Sequence, residues 1–272
     1  MCIRDRNQGD FKIDNSSSSF ESSLSKNFPL NTELESYLTF RGKAKGSWLL
    51  SVSPNSESFS VRTRHSFISL PDEGYKPRKF DPRAGYGAMT FYDYASPIED
   101  DLHVKYIRRH RLIKKYPEKE VSEAVEPIIY YLDRGVPEPV KSALLDGGAW
   151  WNEAFEAAGF KNAFQIKVLP EGADMLDVRY NVIQWVHRST RGWSYGSSVV
   201  DPRTGEIIKG HVSLGSLRVR QDYLIAEGLL RPYGKENHPD DLMKEMAIKR
   251  LRQLSAHEIG HTLGLSHNFI SS

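Results

Sequence analysis

The alternation of apolar and polar positions changes character along the chain. Residues 1–34 are polar, with serine clusters at 16–19 and 22–25, and predict loop with a little strand near 11–13. From Glu35 short apolar or alternating runs take over, at 37–40, 48–52, 59–62 and 67–70. Turn-forming clusters at 42–46 and 54–56 separate them, so three or four antiparallel strands of a larger β domain are expected. Residues 71–97 are dense in Pro, Gly and aromatics. Pro77, Pro82, Gly85 and Gly87 exclude a long helix there, and Tyr86, Phe91, Tyr92 and Tyr94 predict a long ordered loop pinned to a surface.

The second half has longer periods. Residues 128–132, 164–168 and 181–186 are apolar runs of buried-strand length. Between the first two, Val140, Leu144, Gly147, Trp151, Phe155 and Ala158 recur every three or four positions, which predicts a helix over 137–159. Strand, helix, strand with a long crossover gives a parallel pair with the helix on one face. Residues 198–200 and 206–208 flank an Asp-Pro-Arg-Thr-Gly turn and predict a hairpin that continues through 211–215. A helix is expected over 219–230 and a loop over 231–240. A final helix, capped by Asp240 or Asp241, runs to Leu263 with Leu242, Met246, Leu251 and Leu254 on its apolar side. The fold class expected is α+β.

Composition adds few restrictions. The 272 residues suffice for one large domain or two modest ones, and 39% hydrophobic with 26% charged residues is ordinary for a globular chain. No run of about eighteen apolar residues exists, so no transmembrane segment is predicted. Cys2 is the only cysteine, so no intrachain disulfide can form. A basic run, Lys105, Arg108, Arg109, Arg111, Lys114 and Lys115, raises nucleic-acid contact as one reading. Apolar residues interrupt the run and the net charge is only +2, which favours a solvated strand or linker face and no nucleic-acid partner.

The chemistry lies near the C-terminal end. His257, Glu258, His261, Gly264 and His267 form the pattern H-E-x-x-H-x-x-G-x-x-H. Two His four positions apart on a helix project from nearly the same side, so both imidazoles can grip one ion. Glu258 sits on the flank of that face, near the ion and free to hold a water. Gly264 can adopt the left-handed conformation that ends a helix. The chain then doubles back and His267 becomes a third nitrogen ligand. Three protein ligands leave the open fourth position that a catalytic Zn2+ needs. Water bound there has a pKa near 7, and Glu258 is the candidate general base for it. His187, His211 and His238 lie outside the pattern.

The motif resembles that of the metzincin metalloproteases. Its flanks, SAHEIGHTLGLSHNF with NEAFEAAGF and SSVVDPRTGEIIKG upstream, resemble a bacterial family of large zinc-dependent metalloproteases in which a β-rich domain of unassigned role precedes the protease domain. The resemblance covers the chain from about Tyr37 to its last residue; the polar segment at 1–34 lies outside it, and the first six residues are not read as native sequence. It places a β-rich region at 35–116, a linker at 117–126 and a metzincin-like catalytic domain at 127–272. It implies cleavage of a peptide or protein substrate, and a bacterial envelope or secreted location. In similar proteins an edge strand above the metal pairs with extended substrate through backbone groups, and the matching residues are taken as Val212, Ser213, Leu214, Gly215 and Ser216. A sharper role for 71–97 is contact with the protease domain near the cleft, beside the plainer one of a surface loop. Metzincins also need a Met-containing turn beneath the metal. Residues 268–272 are too few to hold it, so the chain is read as a piece ending before that turn, with weak zinc binding and low turnover. The alternative is a non-catalytic binding or scaffold protein with a structural or empty metal site.

Overall fold

The computed structural model describes residues 8–188, 193–230 and 240–268. The chain is α+β and parts into two units, Met1–Ser69 and Leu70–Ser272. Residues 70–126, expected as the end of the β-rich region and a linker, belong by their contacts to the second unit.

The first unit is built on one long strand. Strands β1 (Gly9–Ile13), β2 (Ser19–Phe20) and β3 (Lys26–Asn27) pair in succession along one side of β4 (Asn31–Ala44). Helix α1 (Ser47–Val52) follows, and β5 (Ser58–Ile68) returns antiparallel along the other side of β4, with Asn31 opposite Ile68 and Arg41 opposite Ser58. Strand alternation turns Asn31, Glu33, Glu35 and Thr39 of β4 inward, although all four are polar. They are satisfied by polar partners: Arg64 donates two bonds to Glu35 and Ser66 donates one to Glu33.

One expectation fails here. Residues 48–52 are helix α1, not strand. A five-residue apolar run carries no decisive period, and the Gln8 side chain accepts the Leu49 N–H at the start of the turn. The run at 67–70 extends that at 59–62, as its pattern predicts, within the one strand β5, which ends at Ile68.

In the second unit β6 (Ala88–Tyr92) and β7 (His103–Ile107) form an antiparallel ribbon, so the expected loop at 71–97 contains a strand. A two-residue strand β8 (Ser122–Glu123) lies within 117–126. Then come β9 (Ile128–Leu132), α2 (Val140–Ala157), β10 (Phe160–Lys161), β11 (Phe164–Val168), β12 (Asn181–Val186), β13 (Tyr195–Val200), β14 (Ile207–Gly215), α3 (Leu217–Leu230) and α4 (Asp240–Thr262). β8 pairs parallel with β10. The main sheet has the order β11-β9-β12-β14-β13, parallel except for β13 at one edge. The parallel β9 and β11 joined through α2 are as the periodicity predicts.

Leu132 and Ile183 of the sheet, Leu144 of α2 and Leu251 and Ile259 of α4 are fully buried in one core. Each such aliphatic side chain contributes roughly 1.5–3 kcal/mol when withdrawn from water, so this interface is a main source of the unit's apolar stabilisation. The buried face of α4 follows Met243, Ala247, Leu251 and Ile259; of the predicted residues Leu251 is buried and Leu254 packs against the core, whereas Leu242 is exposed. The predicted loop at 231–239 and its His238 lie outside the described residues. Among the described residues no helix is long and apolar enough to cross a membrane.

Candidate metal centre

Helix α4 is fixed before its last turn is reached. Ser255 Oγ donates to the Leu144 carbonyl at 2.7 Å and Trp151 Nε1 donates to the Ala256 carbonyl at 2.8 Å, which locks α4 to α2. Asp222 of α3, fully buried, accepts from Arg218 at 3.2 Å and from Arg250 of α4 at 2.9 Å. With one face held in the core, His257 and His261 project from the opposite, solvent-facing side.

The helix ends by a left-handed cap. Gly264 has φ +102°, the Leu265 N–H donates to the Gly260 carbonyl and the Gly264 N–H donates to the His261 carbonyl. This is the Schellman pattern, which satisfies the last carbonyls and reverses the chain. The reversal brings His267 to the other two imidazoles. The Nε2 atoms stand 3.2 Å apart for His257 and His261, 3.1 Å for His257 and His267, and 3.0 Å for His261 and His267.

That triangle fits a metal ion. A tetrahedral zinc with Zn–N bonds of about 2.0–2.1 Å spaces its nitrogens ~3.3–3.4 Å apart, and a triangle of the observed size still has a point ~2 Å from all three corners. The donor chemistry agrees. His261 Nδ1 lies 2.9 Å from the Leu265 carbonyl, which accepts its proton and leaves the Nε2 lone pair turned inward. Three converging imidazole nitrogens suit a borderline cation such as Zn2+. Burial, then the neighbouring charges of His261 and His267, pushes the His257 pKa down, favouring the neutral form that binds metal.

Glu258, next to the first of these residues, is 6% exposed. Desolvation raises its pKa, opposed by His261, by a hydrogen bond from the Gly196 N–H and by Arg218. Gly196 belongs to β13 and gave no signal in the motif. An isolated glycine in a strand marks a close backbone approach, and that was its one legible sign. His187 contacts the Ser216 hydroxyl at 3.0 Å and His211 the Gln184 amide oxygen at 3.2 Å, so neither joins the triangle.

The edge strand expected at Val212, Ser213, Leu214, Gly215 and Ser216 is not an edge. β14 lies between β12 and β13, with Val182 opposite His211 and Val186 opposite Gly215 on one side and Tyr195 opposite Ser213 on the other. Even the Ser216 N–H is taken, by the Val186 carbonyl. Its backbone groups are spent within the sheet, and the strand at the sheet's edge beside α4 is β13.

The basic run is not a solvated face throughout. Arg111 donates to Glu206 at 2.7 and 2.9 Å and to Asp72 at 2.7 Å. Arg109 lies over the Tyr75 ring at 4.5 Å and donates to the Lys76 carbonyl.

Two family models match parts of the chain. A family model described as Met-zincin matches residues 239–272, the stretch that contains α4 and the three imidazoles. A second, described as Domain of unknown function (DUF5117), matches residues 3–115. No curated protein matches the chain. The C-terminal region is therefore metzincin-like, and the family it is similar to implies zinc binding.

Proposed function

We propose that this chain carries the zinc site and general base of a peptide-bond hydrolase. The observation that carries the reading is the convergence of the His257, His261 and His267 Nε2 atoms to within 3.2 Å of one another, with Glu258 adjoining them on the same helix. These three imidazoles would hold the ion. Zinc bound there would supply Lewis acidity, bringing the pKa of a water down to about 7.

The protein's own groups do the rest. Glu258 accepts a proton from the water as it attacks the peptide carbonyl, then delivers that proton to the leaving amine. Its surroundings suit both steps: partial desolvation raises its pKa towards the working range, and the Gly196 N–H holds the carboxylate in place. Extended substrate would lie along β13, whose outer backbone groups face no other strand of the sheet among the described residues. Pairing of that kind reads backbone more than side chains and admits many sequences.

The test is metal content together with cleavage of an unfolded protein such as casein, with and without a chelator. Glu258→Gln should keep zinc and lower turnover by roughly 100-fold or more. His267→Ala should lose zinc. Zinc retained on a protein that cleaves nothing, even at high concentration, would favour the scaffold reading, and an active Glu258→Gln protein would refute the role given to the carboxylate.

A further inference from the structure

The tripeptide at 264–266 is held from two sides. Leu265 turns both of its backbone groups towards the helix, its N–H to the Gly260 carbonyl and its C=O to His261 Nδ1. The Gly264 carbonyl and the Ser266 N–H point the other way. The Gly264 carbonyl accepts the Gly87 N–H at 2.7 Å and the Ser266 N–H donates to the Gly85 carbonyl at 2.8 Å. Tyr86 thus faces Leu265 as an antiparallel pair. Alternate backbone groups of an extended segment point to opposite sides, so one short stretch can be zipped to two neighbours at once. A third contact closes the arrangement. The Arg108 N–H donates to the Gly87 carbonyl, and the Arg108 carbonyl lies so near Gly264 that a Cβ there would stand 1.9 Å from it.

Resting on the metal-site reading above, we infer that residues 85–87 and Arg108 are a positioning strap for two of the three imidazoles. His267 follows the tripeptide directly, so the direction in which the chain leaves Ser266 sets where its ring stands. His261 takes its tautomer from the Leu265 carbonyl, whose place depends on the same pairing. No strap atom needs to touch the metal. The helix fixes His257 and His261 to a rigid frame, but nothing within the helix fixes His267, and the strap supplies that constraint. The strap lies inside the stretch matched by the family of unknown function, which gives one part of that stretch a physical task. Residues far upstream in sequence would then govern metal affinity without being ligands.

The experiment is a titration of the metal-free chain with Zn2+, and the visible spectrum of its Co2+ form. Gly87→Pro removes the donor to the Gly264 carbonyl. Gly87→Ala is the conservative partner. It keeps the N–H, and its Cβ meets the far end of the Arg108 side chain, which can swing aside. Gly87→Pro should weaken zinc binding roughly 10- to 100-fold, the range for groups that orient ligands, and shift the cobalt spectrum towards that of His267→Ala. Gly87→Ala should stay close to wild type. Adding His267→Ala to Gly87→Pro should cost less than it costs alone, because both remove the same ligand. Melting of the metal-free proteins checks that each variant folds. Should Gly87→Pro not fold, Tyr86→Ala removes the ring whose Cδ1 lies 3.3 Å from where a Cβ on Gly264 would stand, which loosens the seating of Gly264 against the strap and should weaken binding in the same direction.

Wild-type affinity and spectrum in folded Gly87→Pro, or in Tyr86→Ala if that is the variant that folds, would overturn the strap while leaving the metal site intact. Equal zinc binding by wild type and His267→Ala would instead remove the metal reading, and the strap with it.

Discussion

Gly196 and Glu258 meet backbone to backbone. A Cβ on Gly196 would stand 2.1 Å from the Glu258 carbonyl oxygen and 3.1 Å from the His261 Cβ, and the Gly196 N–H donates to the Glu258 carboxylate. Strand β13 therefore rests on the helix at the position of the candidate base. Any side chain at 196 must push the strand and helix apart. Gly196→Ala is expected to cost about 1–3 kcal/mol of stability, the usual penalty for overpacking a tight interface. It should lower turnover more than zinc affinity, since the severe 2.1 Å overlap falls on Glu258 and only the milder 3.1 Å contact falls on His261. Thermal melts, zinc titration and casein cleavage on one preparation would separate these effects. Equal losses of metal and turnover would show that the contact is only structural.

Gly264 gives a second prediction. Its φ of +102° is one that L side chains rarely adopt, and the Arg108 carbonyl fills the space a Cβ would need. Gly264→Ala should cost about 1–3 kcal/mol from backbone strain alone. It should weaken zinc binding as strongly as His267→Ala, because the reversal that brings His267 back is lost. Zinc affinity within threefold of wild type would refute this.

How far these relationships were readable follows from their physical origin. Strands β9, β11 and β12 and helix α2 were plain in the sequence because side-chain periodicity encodes them. The metal triangle was plain because helical spacing and one glycine dictate it. Three things were hidden. The face of α4 was read only in part, because Leu242 is apolar yet exposed while Ala247 and Ser255 carry the buried stripe. The edge was assigned to β14 because its apolar residues look the same whether it is an edge or an interior strand, and only the return of β12 beside it decides. The strap was invisible because Gly85, Gly87 and Gly264 act through backbone groups, which leave no mark on hydrophobic pattern.

Asp222 yields a third prediction. Its carboxylate is wholly buried and binds the side chains of Arg218 and Arg250, so it joins α3 to the helix that bears the metal ligands. Removing one partner of a buried pair leaves the other charges uncompensated, at a cost of about 3–5 kcal/mol when they stay buried. Both arginines are partly exposed and can turn towards water, so Asp222→Ala is expected at about 2–3 kcal/mol. Urea denaturation would measure it. A loss under 0.5 kcal/mol, read against the ordinary cost of surface changes, would mean the pair contributes nothing net.

His110 predicts how stability changes with acid. Its ring nitrogen is 3.3 Å from the Tyr130 hydroxyl, and burial pushes its pKa down from 6.5 to about 4. The folded protein thus keeps this imidazole neutral, while the unfolded chain takes up a proton below about pH 6.5. The unfolded state binds more protons in that window, so stability is full above 6.5, falls as the pH drops towards 4, and levels off below it. The loss from this group is about 1–3 kcal/mol. The comparison is between wild type and His110→Phe, both metal-free, so that every group common to the two cancels. The stability difference between the two should move in favour of the variant between pH 7 and pH 4.5. A difference that stays constant across that range would show that His110 is protonated equally in both states.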